Sequence, residues 1–183
     1  MARADPRGAD ADHSGLRRPL ERLERLLGEQ AEYLTPETPA LRLESLNQVL
    51  ADSYALLSLT HLAHWNVEGP GFFALHTAFQ TQYEELFIAI DEIAERIRAL
   101  DAYAIGGLGT LAKAAKMKEF ASPLVQEEYV GALIAANGKV VSDAARARDV
   151  AGEAGDAESQ DLMIGRITLH QKTIWMLKSF LKA

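Results

Sequence analysis

Cysteine is absent from the chain. Its absence excludes disulfide bridges, thiolate zinc sites and cysteine nucleophiles. Aromatic residues make up only 7%. No apolar run approaches the roughly 20 residues a helix needs to span a bilayer. Positive charge is the minority sign: 19 Lys and Arg stand against 26 Asp and Glu, a formal net charge of −7. Affinity for nucleic acid comes from neutralising phosphates, so a folded surface of this sign is a poor non-specific DNA binder and a good attractor of cations. Residues 1–15 are polar and lack the apolar core of a secretory signal. A cytoplasmic location is the expectation. No stretch shows the strict alternation of a half-buried strand.

What is present is helix-forming. The 183 residues fit one domain with a real core, and 48% are hydrophobic. Leu, Ala and Ile dominate that set, with Glu, Arg, Gln and Lys between them, all good helix formers. Residues 1–16 have no apolar period and read as a disordered tail. Residues 17–39 read as a short helix and a linker, broken by Thr35-Pro36 and Thr38-Pro39. Residues 40–183 read as an all-α, four-helix bundle. Its first helix carries Leu43, Leu46, Leu50 and Leu57 and runs to about Val67, where Gly69-Pro70-Gly71 stops it. The second has the clearest seam, with steps of three and four from Phe72 through Leu75, Phe79, Tyr83, Leu86, Ile90, Ile93 and Ile97 to Leu100. A short extra helix is expected over Thr110–Phe120, in the connection to the third. The third is expected to open at Ser122 as N-cap with Pro123 at its first position. The fourth starts at Asp156 and carries Met163, Ile167, His170, Ile174, Leu177 and Leu181.

Three of the five histidines, His61, His64 and His76, fall within Thr60–Thr77. His76 and Gln80 are four apart and share a helix face, as do Asp91 and Glu95. The step from Gln80 to Asp91 is close to three whole turns, so both pairs lie near one stripe of the second helix. Imidazole with carboxylate suits Fe(II), and a carboxylate stabilises the ferric product. His76 and Asp91 are nevertheless separated by about 22 Å along a straight helix. Either they belong to two unrelated sites, or a second copy of the helix, related by a two-fold axis, completes each site. From spacing alone both pairs read first as an ordinary solvated face. Glu92 and Arg96 read as a surface ion pair. His61 reads as structural, and His170, on the apolar stripe of the fourth helix, as a core histidine with one hydrogen bond.

His64-Trp65-Asn66-Val67-Glu68-Gly69-Pro70, then Phe72, Leu75-His76 and Asp91-Glu92-Ile93-Ala94-Glu95-Arg96-Ile97 resemble the Dps family, the miniferritins. The resemblance runs from about Leu43 to Lys182 and includes Ile174-Trp175-Met176-Leu177. It implies a ferritin-like subunit that assembles into a hollow homo-dodecamer. It implies iron-oxidising sites at two-fold interfaces, each built from His64 and His76 of one subunit and Asp91 and Glu95 of the other, holding one or two irons. It implies oxidation of Fe(II), preferably by hydrogen peroxide, and storage of ferric mineral, which protects DNA from hydroxyl radicals. Trp65 matches a tryptophan near the site that takes up stray oxidising equivalents. Asp156 and Asp161, with Glu153, are the candidates for pores through which iron enters. The plainer reading of Asp156 is a helix cap.

The family usually has Asp or Glu where this chain has Gln80. An amide is a neutral, weaker oxygen ligand, so weaker binding of a second iron is expected. Some members bind DNA through basic tails. Up to Arg18 this tail holds four Arg against three Asp, and only Ala183 follows Lys182. DNA condensation, with nucleoid association and with weak or zinc-occupied metal sites, is therefore the alternative reading and not the first.

Overall fold

In the computed structural model, which describes residues 39–182, five helices follow one another: α1 (Pro39–Asn66), α2 (Phe72–Ala99), the short α3 (Leu108–Ala114), α4 (Gln126–Glu153) and α5 (Ala157–Phe180). No strand occurs among the described residues. The tail expected over residues 1–16 and the helix and linker expected before Pro39 lie outside them. The four long helices form a bundle in which α1 packs on α2 and α4, and α4 lies along α5. Of the neighbouring long helices, α2 and α5 touch least, and a groove of about 450 Å³ opens between them.

The seam read from the sequence is the core. Leu46, Val49, Leu56, Phe79, Ile93, Ile97, Tyr129, Leu133 and Met163 are fully buried. Side chains of this size each contribute about 1.5–3 kcal/mol when withdrawn from water. α1 begins four residues before Leu43, because Pro39 is tolerated in a first helical turn whose N–H groups have no intrahelical acceptor. α4 departs further from expectation. It starts at Gln126, not behind Ser122-Pro123. The Ser122 hydroxyl is instead paired with the Tyr129 hydroxyl at 2.7 Å, and the Glu128 carboxylate accepts from the Val125 N–H at 3.3 Å to close the first turn. α3 is shorter than Thr110–Phe120 because the chain after Ala114 is drawn onto α1. The Lys116 N–H donates to buried Asp52 at 2.7 Å, and Gln48 donates to the Ala114 carbonyl at 3.2 Å. Lys139 of α4 donates to the same Asp52 carboxylate at 3.1 Å and pairs with Asp143. Burial alone would raise Asp52, but the neighbouring Asp143 and hydrogen bonds donated by Gln48, the Lys116 N–H and Lys139 outweigh it and hold Asp52 below the usual carboxylate value.

Gly155 turns the chain from α4 to α5 at φ +69°, a conformation that favours glycine. Asp156 then caps α5, accepting from the Ser159 N–H at 3.0 Å. Its carboxylate also meets Arg96 of α2 at 2.6 Å and Arg42 of α1 at 3.2 Å, with the Asp156 side chain 1% exposed. Arg96 is thus drawn to the Asp156 cap and Ser159, not to Glu92.

Candidate metal centre

The α1–α2 connection sets the geometry of the histidines. Gly69, at φ +109°, makes the reversal, and the Phe72 N–H closes it on the Gly69 carbonyl at 3.0 Å. Gly71 leaves no room for a side chain: a Cβ there would lie 2.8 Å from the Phe180 ring and from the Gln126 side-chain oxygen, which accepts the Gly71 N–H at 2.9 Å. The last turn of α1 therefore faces the first turns of α2.

Two of the sequence candidates meet there. The rings of His64 and His76 stack with centroids 3.7 Å apart and planes 21° from parallel. His64 Nδ1 donates to the His76 carbonyl at 2.9 Å, and His76 Nδ1 donates to the His64 carbonyl at 3.0 Å. A carbonyl can only accept, so each Nδ1 carries its proton, and the lone pair of each neutral ring is at Nε2. Carbonyl-bound imidazoles of this kind are the usual metal-ligating arrangement, because the backbone bond fixes ring orientation and raises basicity. His64 is buried and His76 half-buried.

Aromatic rings wall the pair. Tyr83 stands edge-on to His64 at 5.1 Å and packs on His61 at 4.3 Å. His61 in turn stacks on Trp65 at 5.2 Å. Burial and the neighbouring His64 hold His61 below its ordinary value. Phe72 covers His76 from the other side at 5.0 Å. Trp65 itself is 69% exposed. The sequence marks Tyr83 only as a seam residue; its contacts with both histidines depend on how α1 and α2 pair.

Asp91 and Glu95 are not with the histidines. Both are exposed farther along α2, beyond the exposed apolar pair Phe87 and Ile88, with Asp91 about 22 Å and Glu95 about 28 Å from His76 along the helix. Neither carries an ion pair among the described residues. No group of three or more His, Asp or Glu able to hold a metal forms within the described part of one chain. Each chain thus presents an imidazole pair, one ring from α1 and one from α2, and a separate pair of exposed carboxylates farther along α2. Imidazole and carboxylate are donor types that fit Fe(II) and Fe(III). Gln80, one turn from His76, is exposed and donates to Glu84 at 2.7 Å.

The remaining candidates serve the fold or the surface. Asp156 is the buried cap and ion-pair centre already described. Burial opposes its charge, but the Ser159 hydrogen bonds and the Arg96 charge outweigh burial and hold the carboxyl below its usual value. Its carboxylate is turned into the subunit, where Arg42 and Arg96 hold it. Asp161 and Glu153 are exposed. His170 is buried with two hydrogen bonds where one was expected, to Asn137 at 2.8 Å and to Arg166 at 2.9 Å.

A family model of the ferritin-like domain matches residues 43–183. DNA protection during starvation protein 2 of Bacillus anthracis is 32% identical over 76% of this chain and 95% of its own length. The crystal structure of Dps from Staphylococcus aureus superposes with a TM-score of 0.77 at 34% identity, covering 80% of this chain and 98% of that one. The Dps protein of Vibrio cholerae O1, described as a member of a broad superfamily of ferritin-like diiron-carboxylate proteins, superposes with a TM-score of 0.77 at 31% identity, covering 81% and 94%. No described helix is long and apolar enough to cross a membrane. By the length of the match and the identity of these relatives, the chain belongs to the ferritin-like proteins and, within them, to the Dps family.

Proposed function

We propose that this protein is a Dps-type ferroxidase and iron-storage cage, which oxidises Fe(II) with hydrogen peroxide and holds the ferric product as mineral. The observation that carries the reading is the crossed pair of histidine–carbonyl hydrogen bonds, which leaves Nε2 of both stacked rings as a lone-pair donor, while Asp91 and Glu95, exposed farther along α2, have no ion-pair partner among the described residues. A two-fold axis crossing α2 near its middle brings His64 and His76 of one subunit to Asp91 and Glu95 of the next, and exposed Phe87 and Ile88 lie where the two helices would meet. A homo-dodecamer carries such sites in pairs.

In this reading the imidazoles take Fe(II), for which nitrogen ligands are well matched, and the carboxylates favour the harder Fe(III). Oxidation balances when two ferrous ions give one electron each to one hydrogen peroxide; its O–O bond breaks and two protons complete two waters. A lone ferrous ion supplies only one of those electrons, so occupancy of the second position decides whether hydroxyl radical is released. Trp65, beside the site, is the proposed sink for such strays. Of the pore candidates, Asp161 and Glu153 remain free to meet iron.

The test is peroxide-driven oxidation of Fe(II) in wild type, His64→Ala and Asp91→Ala; equal rates in all three would overturn the proposal. Shared sites make a sharper demand. Co-assembly of equal amounts of the two variants should regenerate about a quarter of the sites, since a mixed pair holds one intact site and one doubly damaged site. Sites confined to one chain would give no recovery.

A further inference from the structure

Gln80 would be the weak member of the proposed donor set, yet its side chain is not free. The amide donates from Nε2 to Glu84 Oε1 at 2.7 Å, one turn farther along α2. A carboxylate oxygen carries no proton, so the NH₂ group must face Glu84, and chemistry alone fixes which end of the amide is which. The planar amide then turns Oε1 away from Glu84, and that oxygen makes no hydrogen bond among the described residues. One turn in the opposite direction, on the same face, is His76, whose Nδ1 is already committed to the His64 carbonyl. The stripe therefore runs from a fixed imidazole through an oriented amide oxygen to a carboxylate that orients it.

We propose that Glu84 is a positioning residue of the metal centre, holding the Gln80 amide so that Oε1 serves as a neutral oxygen ligand to the second metal position. The inference rests on the iron-oxidising reading of the His64–His76 site. A free primary amide is a poor ligand because it carries no charge and rotates. Glu84 counters both weaknesses. Its charge-assisted hydrogen bond restricts the rotor and polarises the amide, placing more negative charge on Oε1. Part of what a carboxylate at position 80 would supply directly is thus supplied through the amide, by a group that does not touch the metal. The expected result is a second position that binds more weakly and more reversibly than the first, instead of one that is lost.

Binding of redox-inert Zn(II), followed by isothermal titration calorimetry of the assembled protein, separates this role from catalysis, and the visible spectrum of Co(II) reports the ligands. Wild type should take two metals per site in two steps. Glu84→Gln should weaken the second step roughly tenfold or more, the usual effect of losing an outer-shell partner, and leave the first unchanged. Gln80→Leu should abolish the second step. Gln80→Glu should tighten it, and adding Glu84→Gln to Gln80→Glu should then have little effect, because a carboxylate at position 80 needs no partner to carry charge. The proposal fails if wild type has a single step, or if Glu84→Gln and Gln80→Leu leave both steps intact while His64→Ala removes the first. If His64→Ala changes neither step, the underlying site reading fails as well. An exposed i,i+4 pair supports a helix by only a few tenths of a kcal/mol, so all variants should remain folded and assembled, as thermal unfolding and size-exclusion chromatography will verify.

Discussion

His170 should make this protein acid-sensitive in a pH range where few other groups titrate. Its ring is buried between α4 and α5, and burial together with the charge of Arg166 pushes it down to about 3. The hydrogen bonds require the neutral form. Arg166 can only donate, so Nε2 must accept, and Nδ1 donates to the Asn137 oxygen. Arg166 is held in turn by both carboxylate oxygens of Glu85 on α2, so one polar chain ties α2, α5 and α4 together under the groove. An unfolded histidine protonates near 6.5. Below that pH the unfolded chain binds a proton that the native chain refuses, so the contribution is complete above about 6.5 and is lost as pH falls towards 3. Each pH unit in that window removes about 1.4 kcal/mol, or roughly 2 kcal/mol between pH 6.5 and 5.

Urea unfolding at fixed protein concentration, repeated at pH 7.5, 6.5, 5.5 and 5.0, measures this loss. Carboxylates titrate mainly below the window. His61 is also depressed and adds in the same direction, so the comparison that isolates His170 is wild type against His170→Gln. The variant should be less stable at pH 7.5, because its shorter side chain cannot span both partners, but it should lose less stability on acidification. Equal losses in the two proteins between pH 6.5 and 5.0 would refute a buried neutral His170.

Asp156→Ala should cost about 3–5 kcal/mol in urea or thermal unfolding, because buried Arg42 would lose its counter-charge and α5 its cap; Asp156→Asn keeps a capping oxygen and should recover a minority of that loss. Gly71→Ala should destabilise by about 1–3 kcal/mol through collision with Phe180 and the Gln126 side chain. It should also weaken the first metal-binding step, because the turn holding His64 opposite His76 would shift. Asp161→Asn combined with Glu153→Gln should slow iron uptake at low ionic strength, an effect that salt should erase, while changing stability by less than about 0.5 kcal/mol because both residues are exposed.

The parts of this molecule that can be read from its sequence are those written at a helical period. The seam from Leu75 to Ile97 states the second helix and its buried face, and the spacing of His76, Gln80, Asp91 and Glu95 states which donors share a stripe and which are too distant to share one metal in one chain. The rest depends on partners supplied by another element. The carbonyls that orient His64 and His76 are backbone groups placed by the hairpin, and no residue type announces them. Asp52 shortens α3 by capturing a Lys116 N–H 64 residues away. Ser122 looks like a cap until Tyr129 takes its hydroxyl.

Arg96 shows what decides such contests. Its sequence neighbour Glu92 offers an exposed i,i+4 pair, worth a few tenths of a kcal/mol, whereas Asp156, 60 residues away, offers a carboxylate already withdrawn from water that costs several kcal/mol to leave unpaired. The guanidinium therefore joins the buried carboxylate. The same rule applied to Asp91 and Glu95 gives the opposite result, because no cation among the described residues pairs with either of them. Two acidic side chains one turn apart, with like charge and no ion-pair partner among the described residues, repel each other slightly. A cation held jointly with a second subunit would relieve that repulsion, so metal binding and pairing of subunits across α2 should each strengthen the other.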